Sequence, residues 1–163
     1  MLHLFSRFRH DYASGMITNI ILAAIAAQMV LVSTPIDEPR IEFSFVRGSL
    51  VVVPVFLNGR GEYRFLLDTG ATHSILSSRV ADQLNLPAGP AETLITAGGN
   101  LTVSMRELET VQIGSVRISQ MRVAAADFDL LRSLHVDGII GADYLKQFKV
   151  SIDYTRRVLS IKP

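Results

Sequence analysis

The chain has no cysteine among its 163 residues. That excludes disulfides and thiolate metal sites, though it leaves the compartment open. It also lacks a charge excess of either sign. Sixteen Lys and Arg stand against 15 Asp and Glu, for a formal net charge of +1. The basic residues are scattered, with no run of five. Nothing here predicts a nucleic-acid partner. The four histidines are dispersed, so neither a metal nor a cofactor site is indicated. There is no internal repeat and no low-complexity segment. The length suits a single domain plus an appendage, with enough chain to bury a real core.

The appendage is at the N-terminus. No charged residue occurs from Tyr12 to Ile36, and the apolar heart of that stretch is Met16 to Val32. At residues 16–32 it is at the short end of what crosses a bilayer as a helix. Thr18, Asn19 and Gln28 weaken the run without forbidding insertion. Arg7 and Arg9 precede it, and Asp37 and Glu38 follow it. Arginines on that flank predict a cytoplasmic N-terminus, with the rest of the chain on the outer, periplasmic or extracytoplasmic side. Two other readings stay open. One is a cleaved signal peptide that leaves a secreted protein, since Ala24-Ile25-Ala26 resembles a cleavage site. The other is a buried helix. The division expected is a cytoplasmic tip and hydrophobic helix at 1–33, a linker and first strand at 34–46, and a folded domain at 47–163.

From Ile41 the pattern changes to period two. Ile41, Phe43 and Phe45 alternate with Glu42 and Ser44, as in a half-buried strand. Ser49 to Leu57 and Glu62 to Leu67 flank Asn58-Gly59, a strong hairpin signal. His73 to Leu76 reads as a short strand. Ser77 or Ser78 is placed to cap a helix over 78–86, which ends before Pro87. A second hairpin is predicted from Glu92 to Glu107, with Ala97, Gly98, Gly99 and Asn100 at its tip. Strands at 108–113 and 116–124 follow, then an irregular stretch over 127–136. Asp137 to Leu145 holds an apolar pair and a glycine, leading into a short helix expected to run through Phe148. The chain closes with a hairpin at 149–161. The fold class is therefore mostly β with one or two short helices, preceded by an N-terminal hydrophobic helix.

One stretch carries more chemistry than the rest. Phe65-Leu66-Leu67 runs into Asp68, and Thr69, Gly70 and Ala71 follow. The apolar run predicts a buried strand. Gly70 is placed to turn the chain sharply at its end. The sequence thus drives a carboxylate toward the interior, which is costly without partners. Such an acid serves chemistry or caps a turn. His73 reads as a packing or surface residue, and Asp127 and Asp129 as a solvated loop. For Asp143 a structural hydrogen bond is the simpler reading.

FLLDTGA resembles the active-site motif of retropepsin-like aspartic proteases, the single-lobe relatives of pepsin. VDGIIGADYL resembles their second signature, in which Ile139, Ile140 and Gly141 pass behind the active-site loop. LITAGGNLTV stands where that family places its flap. The resemblance covers about residues 47 to 163. It implies a closed β-barrel lobe of retropepsin type, an aspartic endopeptidase acting on peptide or protein substrates, and no cofactor. Asp68 would be the catalytic acid, with Thr69, Gly70 and Ala71 supporting its loop. Thr96, Ala97, Gly98, Gly99 and Asn100 would form the flap. Such enzymes need two carboxylates, and this chain has one Asp-Thr-Gly, so a homodimer is implied. The competing expectation is a catalytically silent peptide-binding or dimerisation module on the same fold.

Overall fold

A computed structural model describes residues 40–96 and 99–163. The hydrophobic segment at 16–32, most of the linker, and Ala97 and Gly98 lie outside the described residues. No helix among the described residues is long and apolar enough to cross a membrane.

The first strands are short. β1 (Arg40–Glu42) and β2 (Ser44–Val46) divide what the alternation suggests is one strand. The break is at Phe43, whose side chain is buried and whose N–H donates to Arg157 O at 3.1 Å. β3 (Leu50–Leu57) and β4 (Arg60–Leu67) form the expected hairpin. Asn58 and Gly59 both take positive φ, 50° and 72°, as a two-residue turn matched to strand twist requires. The Asn58 side chain also accepts from Thr110 N at 3.1 Å, tying this turn to the far wall. β5 (Ile75–Leu76) leads to α1 (Ser78–Gln83), which Ser77 caps by accepting from Val80 N.

β6 (Ala91–Thr96) and β7 (Gly99–Ile113) form the second hairpin. β7 is one strand of 15 residues, not two. No glycine or proline interrupts it between Gly99 and Ile113, and it pairs with β6 along its first part and β8 (Val116–Ala125) along its second. The stretch expected to be irregular holds α2 (Asp129–Leu134), which buries Leu131 and Leu134. β9 (Gly138–Ile140) precedes α3 (Ala142–Leu145), which stops before Phe148. β10 (Lys149–Asp153) and β11 (Val158–Lys162) make the last hairpin. The fold is mostly β, with three short helices among the described residues rather than one or two.

The strands form two sheets. The smaller runs β1-β11-β10. The larger runs β2-β3-β4-β9-β5-β8-β7-β6, and β3 also pairs with β7. That extra pairing returns the sheet to its own third strand in sequence, so β3, β4, β9, β5, β8 and β7 close into a barrel. Alternate side chains point to opposite faces of a strand. On β3, Val51, Val53, Val55 and Leu57 enter the main core, while Val52 joins a second cluster. The same division separates Phe65 from Leu66, Leu76 from Ile75, and Ile140 from Ile139. The wall is buried on both faces there, which is why these strands read as continuous apolar runs rather than alternating ones.

Tyr144 is fully buried in the main core, and its hydroxyl donates to Val116 O at 3.3 Å. Burial pushes its phenol up to about 12, against a smaller downward pull from a backbone hydrogen bond at Ile113. Above the ordinary value of 10.0 the unfolded chain ionises this tyrosine while the folded one keeps its proton. Stability contributed below that pH is therefore lost as pH rises toward 12, by roughly 2–3 kcal/mol in all. Urea unfolding followed across this range should show the loss, and Tyr144→Phe should flatten it. An equally steep alkaline decline in Tyr144→Phe would assign the effect elsewhere.

Candidate active site

The site is built where β9 passes between the strands on either side of the Asp68 loop. β4 enters the loop and β5 leaves it, yet the two do not pair with each other. β9 lies between them, parallel to β4 and antiparallel to β5. Two glycines make this crossing feasible. A Cβ on Gly138 would stand 2.3 Å from Ile75 O and 2.3 Å from the Phe65 ring. A Cβ on Gly141 would stand 2.8 Å from Ala71 O and equally close to the backbone of His73. Neither position has room for a side chain.

The loop from Asp68 to Ser74 is tied to the segment behind it at several points. Asp68 N donates to Ile140 O at 3.0 Å, and Ala142 N donates to Ala71 O at 2.7 Å. Ser74 N and Ser74 Oγ donate to the Asp143 carboxylate at 2.7 and 2.6 Å. Gly141 N donates to Ser74 Oγ at 3.0 Å. The upstream end is tied as well. Arg64 and Asp137 exchange bonds through Arg64 N to Asp137 Oδ2 at 2.8 Å and Asp137 N to Arg64 O at 2.7 Å. Arg79 on α1 pairs with the same carboxylate.

Asp68 itself is half-buried, and Thr69 and Gly70 are exposed. Asp68 Oδ1 accepts from Gly70 N at 2.8 Å. Gly70 does not take the positive φ that a sharp glycine turn would use. Its lack of a side chain serves a close approach instead, since a Cβ there would stand 3.2 Å from Asp68 Oδ1. Ala71 packs against the second cluster, together with Leu94 and Leu101 from the two arms of the β6–β7 hairpin. The hairpin arms and the loop therefore share one apolar support. Near the tip, Thr96 Oγ1 donates to Gly99 O at 2.8 Å, and Ile95 is 89% exposed.

Four other aspartates beyond the loop, Asp127, Asp129, Asp137 and Asp143, are engaged within the fold. Asp137 and Asp143 hold the crossing. Asp127, expected in a solvated loop, has an exposed position but accepts from Ser78 N at the start of α1, at 3.2 Å. Asp129 pairs with Arg132 at 2.7 Å. His73 is exposed, with Nδ1 in contact with Thr72 Oγ1 at 3.0 Å. Among the described residues no group of His, Asp and Glu is arranged to hold a metal. Ser74 is the member that sequence reading passes over. Its signal is a hydroxyl directly before an apolar pair, inside a segment otherwise bound for the core.

The fold is that of a retropepsin-like lobe. A solved retropepsin-like aspartic protease from Rickettsia conorii superposes with a TM-score of 0.56 at 23% identity, covering 76% of this chain and 89% of that one. EIAV protease, solved in complex with an inhibitor, gives 0.49 at 22% identity over 64% of this chain and 92% of that one. No curated protein sequence matches. A family model described as aspartyl protease matches residues 53–144, a span that runs from β3 through the Asp68 loop to α3. The chain belongs to this aspartyl protease family.

Filling the space at Gly141 should act on the loop through Ala71 and His73. Gly141→Ala is expected to lower stability by about 2–3 kcal/mol in urea unfolding. Unchanged stability would mean the crossing has slack that these distances do not allow.

Proposed function

We propose that the chain is an aspartic endopeptidase that works as a homodimer, with one Asp68 from each copy forming the acid pair. The observation that carries this reading is how Asp68 is held. Its loop is anchored from behind at three places, yet among the described residues its carboxylate accepts only from Gly70 N of its own loop. Among the described residues no arginine or lysine neutralises it. A short bond from residue i+2 is also what a turn-capping aspartate makes. A mere turn cap, however, would not call for a loop tied back at 68, 71 and 74 and left open to solvent at Thr69 and Gly70.

On this reading two Asp68 side chains face each other across a two-fold axis. Two carboxylates held that close cannot both ionise, so they share a proton, which is the general behaviour of such pairs. The ionised one takes a proton from a water held between them. The protonated one polarises the scissile carbonyl. Proton return to the departing amine completes cleavage. Gly70 N–H steadies Oδ1 and leaves Oδ2 available to the water. Thr69, exposed and unengaged by any hydrogen bond among the described residues, is assigned to the contact with the partner loop. The β6–β7 hairpin, with Thr96, Gly99 and Asn100 at its end and Ala97 and Gly98 between, serves as the flap. It covers an extended peptide and bonds its backbone. Residues 16–32 tether the enzyme to a membrane with the protease domain on the outer face, which raises the effective concentration of copies and favours pairing.

The full chain should cleave members of a diverse peptide library, with a bell-shaped pH profile that belongs to the pair rather than to either acid. Asp68→Asn is expected to lower kcat/KM by roughly a hundred- to ten-thousandfold. A verified dimer that cleaves nothing from acidic to mildly alkaline pH would instead be the silent peptide-binding module.

Mixing separates one shared site from two independent ones. Equal amounts of wild-type and Asp68→Asn chains, allowed to exchange partners, should retain about a quarter of the activity of an all-wild-type sample at the same total chain concentration. Retention of half would mean that each copy carries a complete site.

A further inference from the structure

We propose that Ser74 and Asp143 are positioning residues for Asp68, a built-in clamp that sets where the acid sits rather than merely holding the core together. The inference rests on the protease reading above. Apart from the Tyr144 phenol, Ser74 is one of only two buried polar side chains among the described residues, the other being the helix cap Ser77. Every polar group it owns is used. Its N–H and Oγ–H go to the two oxygens of Asp143, its Oγ accepts from Gly141 N, and its carbonyl accepts from Ala124 N at 3.1 Å. Asp143 Oδ1 accepts in addition from Tyr144 N at 2.9 Å.

The placement of these bonds is what makes them a clamp. The near end of the loop is bonded to Ile140 and its middle to Ala142. Ser74 closes the far end onto Gly141 and Asp143, between and beside those same residues. Gly141 has no free space against Ala71 O and His73. A shift of Gly141 therefore moves the loop directly, because packed backbone has nowhere else to yield. Asp143 offers acceptors only, and it meets three donors. An asparagine in its place turns an NH2 group toward one of them, so the amide is not a neutral replacement. Catalysis is more sensitive to such a shift than stability is. A displacement of about 1 Å costs on the order of a hundredfold in rate.

The test uses the full chain with Asp68 intact. Ser74→Ala and Asp143→Asn should lower kcat by about ten- to a hundredfold, with KM changed by less than about threefold. Ser74→Thr, which keeps the hydroxyl, should restore most of the loss. Asp143→Asn serves alone if Ser74→Ala does not fold. Amide hydrogen exchange provides a readout independent of activity. The amides of Asp68 and Ala142 should lose protection by at least about tenfold while the β10–β11 ladder keeps its own. Three results would overturn the clamp: an unchanged kcat, an equal loss in Ser74→Thr, or a uniform loss of protection across both regions. If the wild-type chain cleaves no peptide, the protease reading fails, and the exchange pattern still decides whether the clamp holds the loop.

Discussion

The structure depends on one close crossing. β9 passes between β4 and β5 with no space for a side chain at Gly138, its first residue, or at Gly141, just after it. The crossing converts a floppy connection into a fixed one. The residues between Leu67 and Ile75 have no pairing between the strands on either side of them, so without β9 they would be an ordinary surface loop. With it, their backbone is bonded to the segment behind at 68, 71 and 74. The apolar pairs on each side follow from the same geometry. A strand threaded between two others and covered on both faces must be apolar at successive positions, and Ile139 and Ile140 go to different clusters.

Polar groups are placed around this crossing with economy. Asp137 fastens β4 and α1 on one side, and Asp143 fastens Ser74 on the other. Both carboxylates are satisfied by donors within the fold. Burying polar groups costs several kcal/mol when they are unmatched and little when they are matched. Asp68 differs, since among the described residues its carboxylate meets no donor outside its own loop. On the proposed reading, this difference separates the structural acids at the crossing from the one left available for chemistry.

How much of this was legible beforehand depended on chemistry that is local in sequence. The β3–β4 hairpin could be read because Asn58-Gly59 states its turn geometry in two residues. The helix start at Ser77 and the ends of the last hairpin were legible for the same reason. The Asp68 motif and the Ile139-Ile140-Gly141 motif were readable as strings, and the reason for Gly141 only emerges from atoms far away in sequence, at Ala71 and His73. What failed was decided at a distance or by too few residues. The division of Ile41–Phe45 into two strands depends on Arg157, which no local pattern reveals. The continuity of β7 follows from having two different partners along its length. α2 has only six residues, no side-chain cap at Phe128, and a left-handed His135 at its end instead of glycine. Nothing in Ser74 announces that its partner is Asp143.

The same physics bears on why one lobe with one such acid would pair with itself. Thr69 and Gly70 are exposed between anchored neighbours at 68 and 71, so much of the ordering cost of that surface is met within the single chain. Association would then lose little further conformational entropy at the loop, which is the main route by which a preorganised surface gains affinity. A two-fold contact needs only one self-complementary patch, and a fixed loop is the simplest patch to make so. In such a pair Asp68 would gain a second carboxylate at a distance set by two anchored loops rather than by a flexible hinge. The clamp at Ser74 and Asp143 would act on both loops of such a pair at once, so an error in its geometry would enter the acid-to-acid distance twice.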